Sequence, residues 1–130
     1  MIMSKNSETI LIVDDEKEIA DLLEVYLKNE NYQVRKFYRP KEALACVEHE
    51  PISLAILDIM MPEMDGFVLC NKIRQKYLFP IIMLTAKGED IDKIQGLTLG
   101  ADDYITKPFN PLEVVARVKT QLRRYKQYNT

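Results

Sequence analysis

Thr9-Ile10-Leu11-Ile12-Val13 runs without a charged residue and stops abruptly at Asp14-Asp15. Four of its five residues are β-branched, and a short apolar run of that kind reads as a strand covered on both faces. Beyond the acids, Ile19, Leu22, Leu23, Tyr26 and Leu27 recur at the spacing of one helix face, and Asn29-Glu30-Asn31 closes the helix. The same unit then repeats along the chain. Tyr32 to Tyr38 reads as a strand, followed by a helix from Pro40 to about Glu48. Leu54-Ala55-Ile56-Leu57 is a third strand, ending in Asp58, with a loop from Met60 to Gly66 and a helix from about Phe67 to Lys76. Ile81-Ile82-Met83-Leu84 runs into Thr85, and a helix is expected from about Asp90 to Leu99, stopped by Gly100. Tyr104-Ile105-Thr106 leads to Lys107-Pro108. Asn110-Pro111-Leu112-Glu113 has the N-cap, Pro and Glu order of a helix start, and the last helix is expected to reach about Tyr125. Strict alternation of strand and helix, five times, predicts an α/β fold: a single doubly wound (βα)5 domain on a parallel five-stranded sheet.

Composition bounds the function. A chain of 130 residues is one domain, and 18 basic against 20 acidic residues argue against a nucleic-acid-binding surface over the domain. Cys46 and Cys70 form no CxxC pair, so zinc is not expected, and two core thiols suit a reducing cytoplasm. The first residues lack the apolar core of a signal peptide, and no apolar run approaches membrane-spanning length, so a cytoplasmic protein with no membrane partner is expected.

Four of the five predicted strands end in a polar group: Asp14-Asp15, Asp58, Thr85 and Lys107. In an open α/β sheet, ligands bind outside the carboxyl ends of the strands. Three crowded carboxylates repel one another unless a cation relieves them, and a hard divalent ion with oxygen ligands, Mg2+ by default, suits Asp14, Asp15 and Asp58. A metal, an ammonium and a hydroxyl together clamp a transferring phosphoryl group, and Asp58 is placed to be its acceptor. Singly, each residue has a plainer reading: an aspartate after a strand is most often a turn former or helix cap, and a lone lysine is usually solvated. Their joint placement at strand ends favours the site.

These same runs resemble the response-regulator receiver domain, over about residues 8 to 125. The strand into Asp14-Asp15 carries the resemblance, with Asp58-Ile59-Met60-Met61-Pro62-Glu63-Met64-Asp65-Gly66, Thr85-Ala86 and Gly100-Ala101-Asp102-Asp103-Tyr104-Ile105-Thr106-Lys107-Pro108-Phe109. The last run is similar to the OmpR/PhoB subfamily. Asp14-Asp15-Glu16, Tyr26-Leu27-Lys28-Asn29-Glu30-Asn31 and Leu122-Arg123-Arg124-Tyr125-Lys126 resemble VanR-type regulators. The resemblance implies a flavodoxin-like sheet in the order 2-1-3-4-5. It implies that Asp58 accepts a phosphoryl group from a phosphohistidine on a sensor histidine kinase. Asp15, Asp58 and the backbone carbonyl of Met60 would bind Mg2+, with Asp14 acting through water. Lys107, its bond to Pro108 cis, would pair with the phosphoryl oxygens; Thr85 would hydrogen-bond one of them, and Tyr104 would swing inward as Thr85 moves. Met60 and Lys87 stand where other receivers carry residues that bear on phosphoryl lifetime.

The resemblance also implies a symmetric dimer on phosphorylation, built from the predicted helix over 90–99, the last strand and the last helix. Lys93, Ile94, Leu97, Asp103, Glu113, Ala116 and Arg117 occupy the matching positions. Lys93 would meet Glu113, and Asp103 would meet Arg117, across the axis. The plainer alternative is a solvated face on which Glu113 and Arg117 pair within one helix. Arg117, Lys119, Arg123, Arg124 and Lys126 have no acidic neighbour in the sequence after Glu113 and read as complements of the helix dipole. Residues 126–130 would begin a linker to a winged-helix domain, through which alone DNA would be bound. The domain is thus expected to be a regulatory phosphoacceptor that promotes its own phosphorylation and dephosphorylation, not an enzyme acting on another substrate. An aspartyl-phosphate phosphohydrolase would carry a second Asp where Met60 stands. A flavodoxin-like electron carrier would need a phosphate loop where Asp14-Asp15-Glu16 stands. A degenerate receiver would lack part of Asp15, Asp58, Thr85 and Lys107.

Overall fold

The computed structural model describes residues 8–86 and 100–128. Five strands, β1 (Thr9–Val13), β2 (Gln33–Phe37), β3 (Leu54–Asp58), β4 (Ile81–Ala86) and β5 (Asp103–Lys107), form one parallel sheet in the order β2-β1-β3-β4-β5. The helices are α1 (Lys17–Asn29), α2 (Pro40–His49), α3 (Gly66–Arg74) and α4 (Pro111–Tyr128). The helix expected over 90–99 lies outside the described residues, as does Lys87.

Each strand alternates its side chains between two cores, as the pleat requires. Ile10, Ile12, Leu54, Ile56, Ile82, Leu84 and Ile105 pack against α1 and α4 through Leu23, Leu27, Val114 and Val118. Leu11, Val13, Ala55, Leu57, Ile81 and Met83 pack on the other side with Ala43, Val47, Leu69 and Ile73. Both cores are closed, so every residue of β1 and β3 is buried.

Two helices depart from expectation. In α1 the buried residues are Ala20, Leu23 and Leu27, flanked by Ile19 and Tyr26, while Leu22 is 41% exposed. The apolar stripe is centred on the 20-23-27 line, which leaves Leu22 a full residue rotation to one side. Asn31, at φ 70°, turns the chain out of α1 in the left-handed conformation that Asn tolerates best after Gly. Helix α4 runs to Tyr128, three residues past the expected end at Tyr125. Lys126 and Gln127 are good helix formers, nothing there breaks the helix, and Lys126 Nζ is anchored 2.8 Å from Glu8 Oε2.

Candidate functional site

Parallel pairing brings the carboxyl ends of β1, β3, β4 and β5 to one edge, and the pleat then sorts the predicted residues between the two faces. Asp14, Asp58 and Lys107 continue the rows of Ile10 and Ile12, Ile56, and Ile105, so all three rise on the α1–α4 side. Thr85 continues the row of Ile81 and Met83, on the side where Tyr104 packs. The Thr85 hydroxyl donates to Thr106 Oγ1 at 3.4 Å, its register partner on β5.

On the first face Lys107 gathers the acids. Its ammonium lies 3.2 Å from Asp58 Oδ1, 3.1 Å from Asp14 Oδ2 and 2.8 Å from Glu16 Oε1. Asp14 is fully buried and is further held by the Glu16 backbone N–H, which donates to Oδ1 at 2.9 Å. Burial raises the Asp14 pKa, against that N–H and the Lys107 charge. Burial, and then the negative charge of Asp14, push Asp58 up to about 7, opposed by Lys107. Burial alone would lower the Lys107 pKa. The Glu16 hydrogen bond and the charges of Asp14 and Asp58 outweigh it and hold the ammonium above its ordinary range.

One lysine facing three carboxylates leaves the site short of positive charge. Asp14, Glu16 and Asp58 each offer an oxygen within 4.8 Å of the others. Asp15 stands outside that triplet, but its Oδ1 is buried with no hydrogen-bond partner, whereas the buried Asp14 Oδ2 has the Lys107 ammonium at 3.1 Å. An all-oxygen donor set in which the buried Asp15 Oδ1 is left without a partner fits a hard divalent cation. Met60 presents its side chain to solvent, 63% exposed, which leaves only its backbone carbonyl as a plausible donor.

The loop after Asp58 is closed by backbone geometry. Gly66 donates its N–H to Ile59 O at 2.8 Å, and a Cβ on Gly66 would stand 2.2 Å from Asp58 O. Only glycine permits that approach. Glu63, at φ 72°, sits at the centre of a turn in which Met64 N–H donates to Pro62 O at 2.8 Å, a strained γ-turn geometry. Asp65 caps α3 through Val68 N–H at 3.0 Å, and Asn110 caps α4 through Leu112 N–H at 2.9 Å. The Lys107-Pro108 bond is cis, as the resemblance implied.

Two functional residues were missed in the sequence. Glu16 had a signal, as a third consecutive acid after β1, but its contact with Lys107 joins opposite ends of the chain. Gly66 was visible in the Asp65-Gly66 pair, but its role in closing the loop needs the path of the backbone. Of the proposed dimer face, Lys93, Ile94 and Leu97 lie outside the described residues. Within one chain, Arg117 bonds Asp103 Oδ1 at 2.7 Å and Glu113 Oε2 at 3.3 Å, and Ala116 is exposed beside them.

Buried acids around a strand-end lysine, on a 2-1-3-4-5 sheet, agree with the match of residues 10–119 to the response regulator receiver domain, and the chain belongs to that family. It is 64% identical to the regulatory protein VanRc of Enterococcus gallinarum over 123 residues, which are 95% of this chain and 53% of that protein. It is 65% identical to the regulatory protein VanR of Enterococcus faecium over the same length and shares. The chain therefore spans about half the length of the curated relatives it matches. Among solved structures, a CheY-like receiver domain protein from Methanospirillum hungatei superposes with a TM-score of 0.86 at 33% identity, covering 94% of this chain and 98% of that one. The chain is thus a VanR-like receiver of two-component signalling, a regulatory domain.

Proposed function

We propose that Asp58 accepts a phosphoryl group from a phosphohistidine on a sensor histidine kinase. The observation that carries this is the Lys107 ammonium held between two buried carboxylates, Asp14 and Asp58. A carboxylate oxygen of Asp58 attacks phosphorus, the P–N bond breaks, and its electron pair returns to the imidazole, leaving an acyl phosphate. Asp15, Asp58 and the Met60 carbonyl would hold Mg2+, with Asp14 acting through water, and the bound ion would supply positive charge to offset the carboxylates and the phosphoryl oxygens. Lys107 pairs with the phosphoryl oxygens and stabilises the charge that develops on them. Thr85 exchanges Thr106 for a phosphoryl oxygen, and Tyr104, on the same face of the sheet, follows it inward. This is a local change of charge acting on a two-state element.

On phosphorylation, Arg117, Asp103 and Glu113 exchange their contacts within the chain for contacts across a two-fold axis, together with Lys93, Ile94, Leu97 and Ala116. The homodimer then controls transcription through a DNA-binding domain that follows the receiver in the longer protein, by way of a linker that leaves the end of α4, at Tyr128 rather than at the expected residue 126. The protein acts in the cytoplasm, where its kinase is phosphorylated. Two free buried thiols are consistent with that, and no helix among the described residues is long and apolar enough to cross a membrane.

Incubation with acetyl phosphate and Mg2+, followed by intact mass, tests the assignment. One phosphoryl group is expected, not taken up when Mg2+ is chelated beforehand and absent in Asp58→Asn. An adduct of the same yield in Asp58→Asn would overturn it.

A further inference from the structure

Glu16 occupies the N-cap position of α1, yet its side chain makes no capping hydrogen bond. It reaches instead to Lys107, and its 2.8 Å contact is the shortest of the three that the ammonium makes. It is also the most exposed partner: the Glu16 side chain is 59% exposed, against 0% for Asp14 and 5% for Asp58. An ammonium has three N–H donors. Three carboxylates already crowd this one, so a phosphoryl oxygen arriving at Asp58 is one anion too many. Asp14 is fixed by burial and by the Glu16 N–H, and Asp58 is the acceptor itself. Glu16 is the partner that water can take back at least cost.

We propose that Glu16 is a positioning residue that acts through Lys107: its carboxylate holds the ammonium in the unphosphorylated protein and must let go when the phosphoryl group arrives. The inference rests on Asp58 as the phosphoacceptor. It assigns Glu16 to the resting state alone, and that makes a directional prediction. Removing the contact raises the free energy of the unphosphorylated protein without touching the phosphorylated one. Phosphorylation therefore quickens, while loss of the phosphoryl group keeps its rate.

The test compares wild type with Glu16→Gln and Glu16→Asp, using acetyl phosphate as donor at saturating Mg2+ and, after the donor is removed, following decay by intact mass. Glu16→Gln removes the charge. Glu16→Asp keeps the charge but shortens the reach by one methylene. Both variants are expected to be phosphorylated about threefold faster, the factor an exposed ion pair supports, with decay unchanged. A second readout follows the Lys107 side-chain resonances by NMR in the unphosphorylated proteins, where both variants should shift them. Slower phosphorylation at saturating Mg2+, a parallel change in both rates, or unmoved Lys107 resonances would overturn the inference. So would acceleration in Glu16→Gln alone, which would mark a long-range charge effect in place of a contact. Failure of the Asp58 assignment looks different: wild type itself would then take up no phosphoryl group at Asp58.

Discussion

Lysines meet carboxylates at both ends of the sheet, and the two ends behave as opposites. At the carboxyl end one lysine, 14% exposed, faces three acids, two of them buried. At the amino end each of two lysines meets one acid among the described residues: Lys126 with Glu8 at 2.8 Å and Lys119 with Glu30 at 2.5 Å, both lysines more than half exposed. Balanced, solvated pairs trim the stability of the fold and little else. A buried cluster with too few positive charges costs stability and is left with an affinity for cations and for groups that carry them in. The difference lies in burial and stoichiometry, because the residue types are the same.

The comparison breaks most plainly if the carboxyl end can lose its central acid without consequence. Asp58→Asn is expected to take up no phosphoryl group from acetyl phosphate, by intact mass, while folding normally. Next in size is the loop that positions Asp58. Gly66→Ala places a methyl 2.2 Å from Asp58 O and 2.9 Å from Ile59 Cα, both backbone atoms that cannot swing aside. A loss of about 3 kcal/mol or more is expected in urea unfolding, since overpacking against backbone has no cheap relief. The surviving folded protein should be phosphorylated more slowly, because the methyl pushes on the residue that carries the acceptor. A stability change of less than ~1 kcal/mol would mean that the loop yields, and that the carboxyl end is less rigid than its burial implies.

Charge imbalance itself is open to a pH test in metal-free buffer. The Asp58 pKa, pushed by burial and Asp14 to about 7, lies above its unfolded value. The folded protein therefore binds that proton more tightly, and stability from this group falls as pH rises from about 4 to about 7. Wild type and Asp58→Asn should be similar near pH 4. By pH 8 the variant should be more stable by on the order of 3 kcal/mol. Mg2+ should narrow the gap by stabilising wild type more than the variant. A wild-type–variant difference that stays constant across pH would remove the crowded-carboxylate account.

Much of the carboxyl end was legible in the sequence, because its signals are local. Apolar strands advertise themselves by composition, and an acid, hydroxyl or lysine that ends such a run lands at the sheet edge whatever the rest of the fold does. Asp14, Asp58, Thr85 and Lys107 were readable for that reason. The division of labour between the faces was also latent in the odd and even numbering of those strands, but it needed the observed cores to say which side was which. Glu16 was hidden because its partner is set by strand order rather than by neighbours in sequence. Leu22 was misplaced because two helix faces one residue apart fit nearly the same spacing, and only packing against the sheet chooses between them.

The amino end was the least legible part. Lys119 and Lys126 have no acids near them in the sequence after Glu113, which invited a helix-dipole reading. The fold instead supplies Glu30 from the end of α1 and Glu8 from the start of β1. This end also gives the smallest prediction. Lys126→Met keeps the apolar stem and removes the charge, leaving Glu8, 15% exposed, without the ammonium at 2.8 Å. Because the lysine is 63% exposed, water already screens most of the pair, and a loss of about 1 kcal/mol is expected in urea unfolding. The phosphorylation rate should be unchanged, since the sheet separates this pair from Lys107. A changed rate with folding intact would show that the two ends communicate through β1, whose first neighbour is Glu8 and whose last is Asp14, and the contrast between a stabilising end and a reactive end would then have to be redrawn as one coupled device.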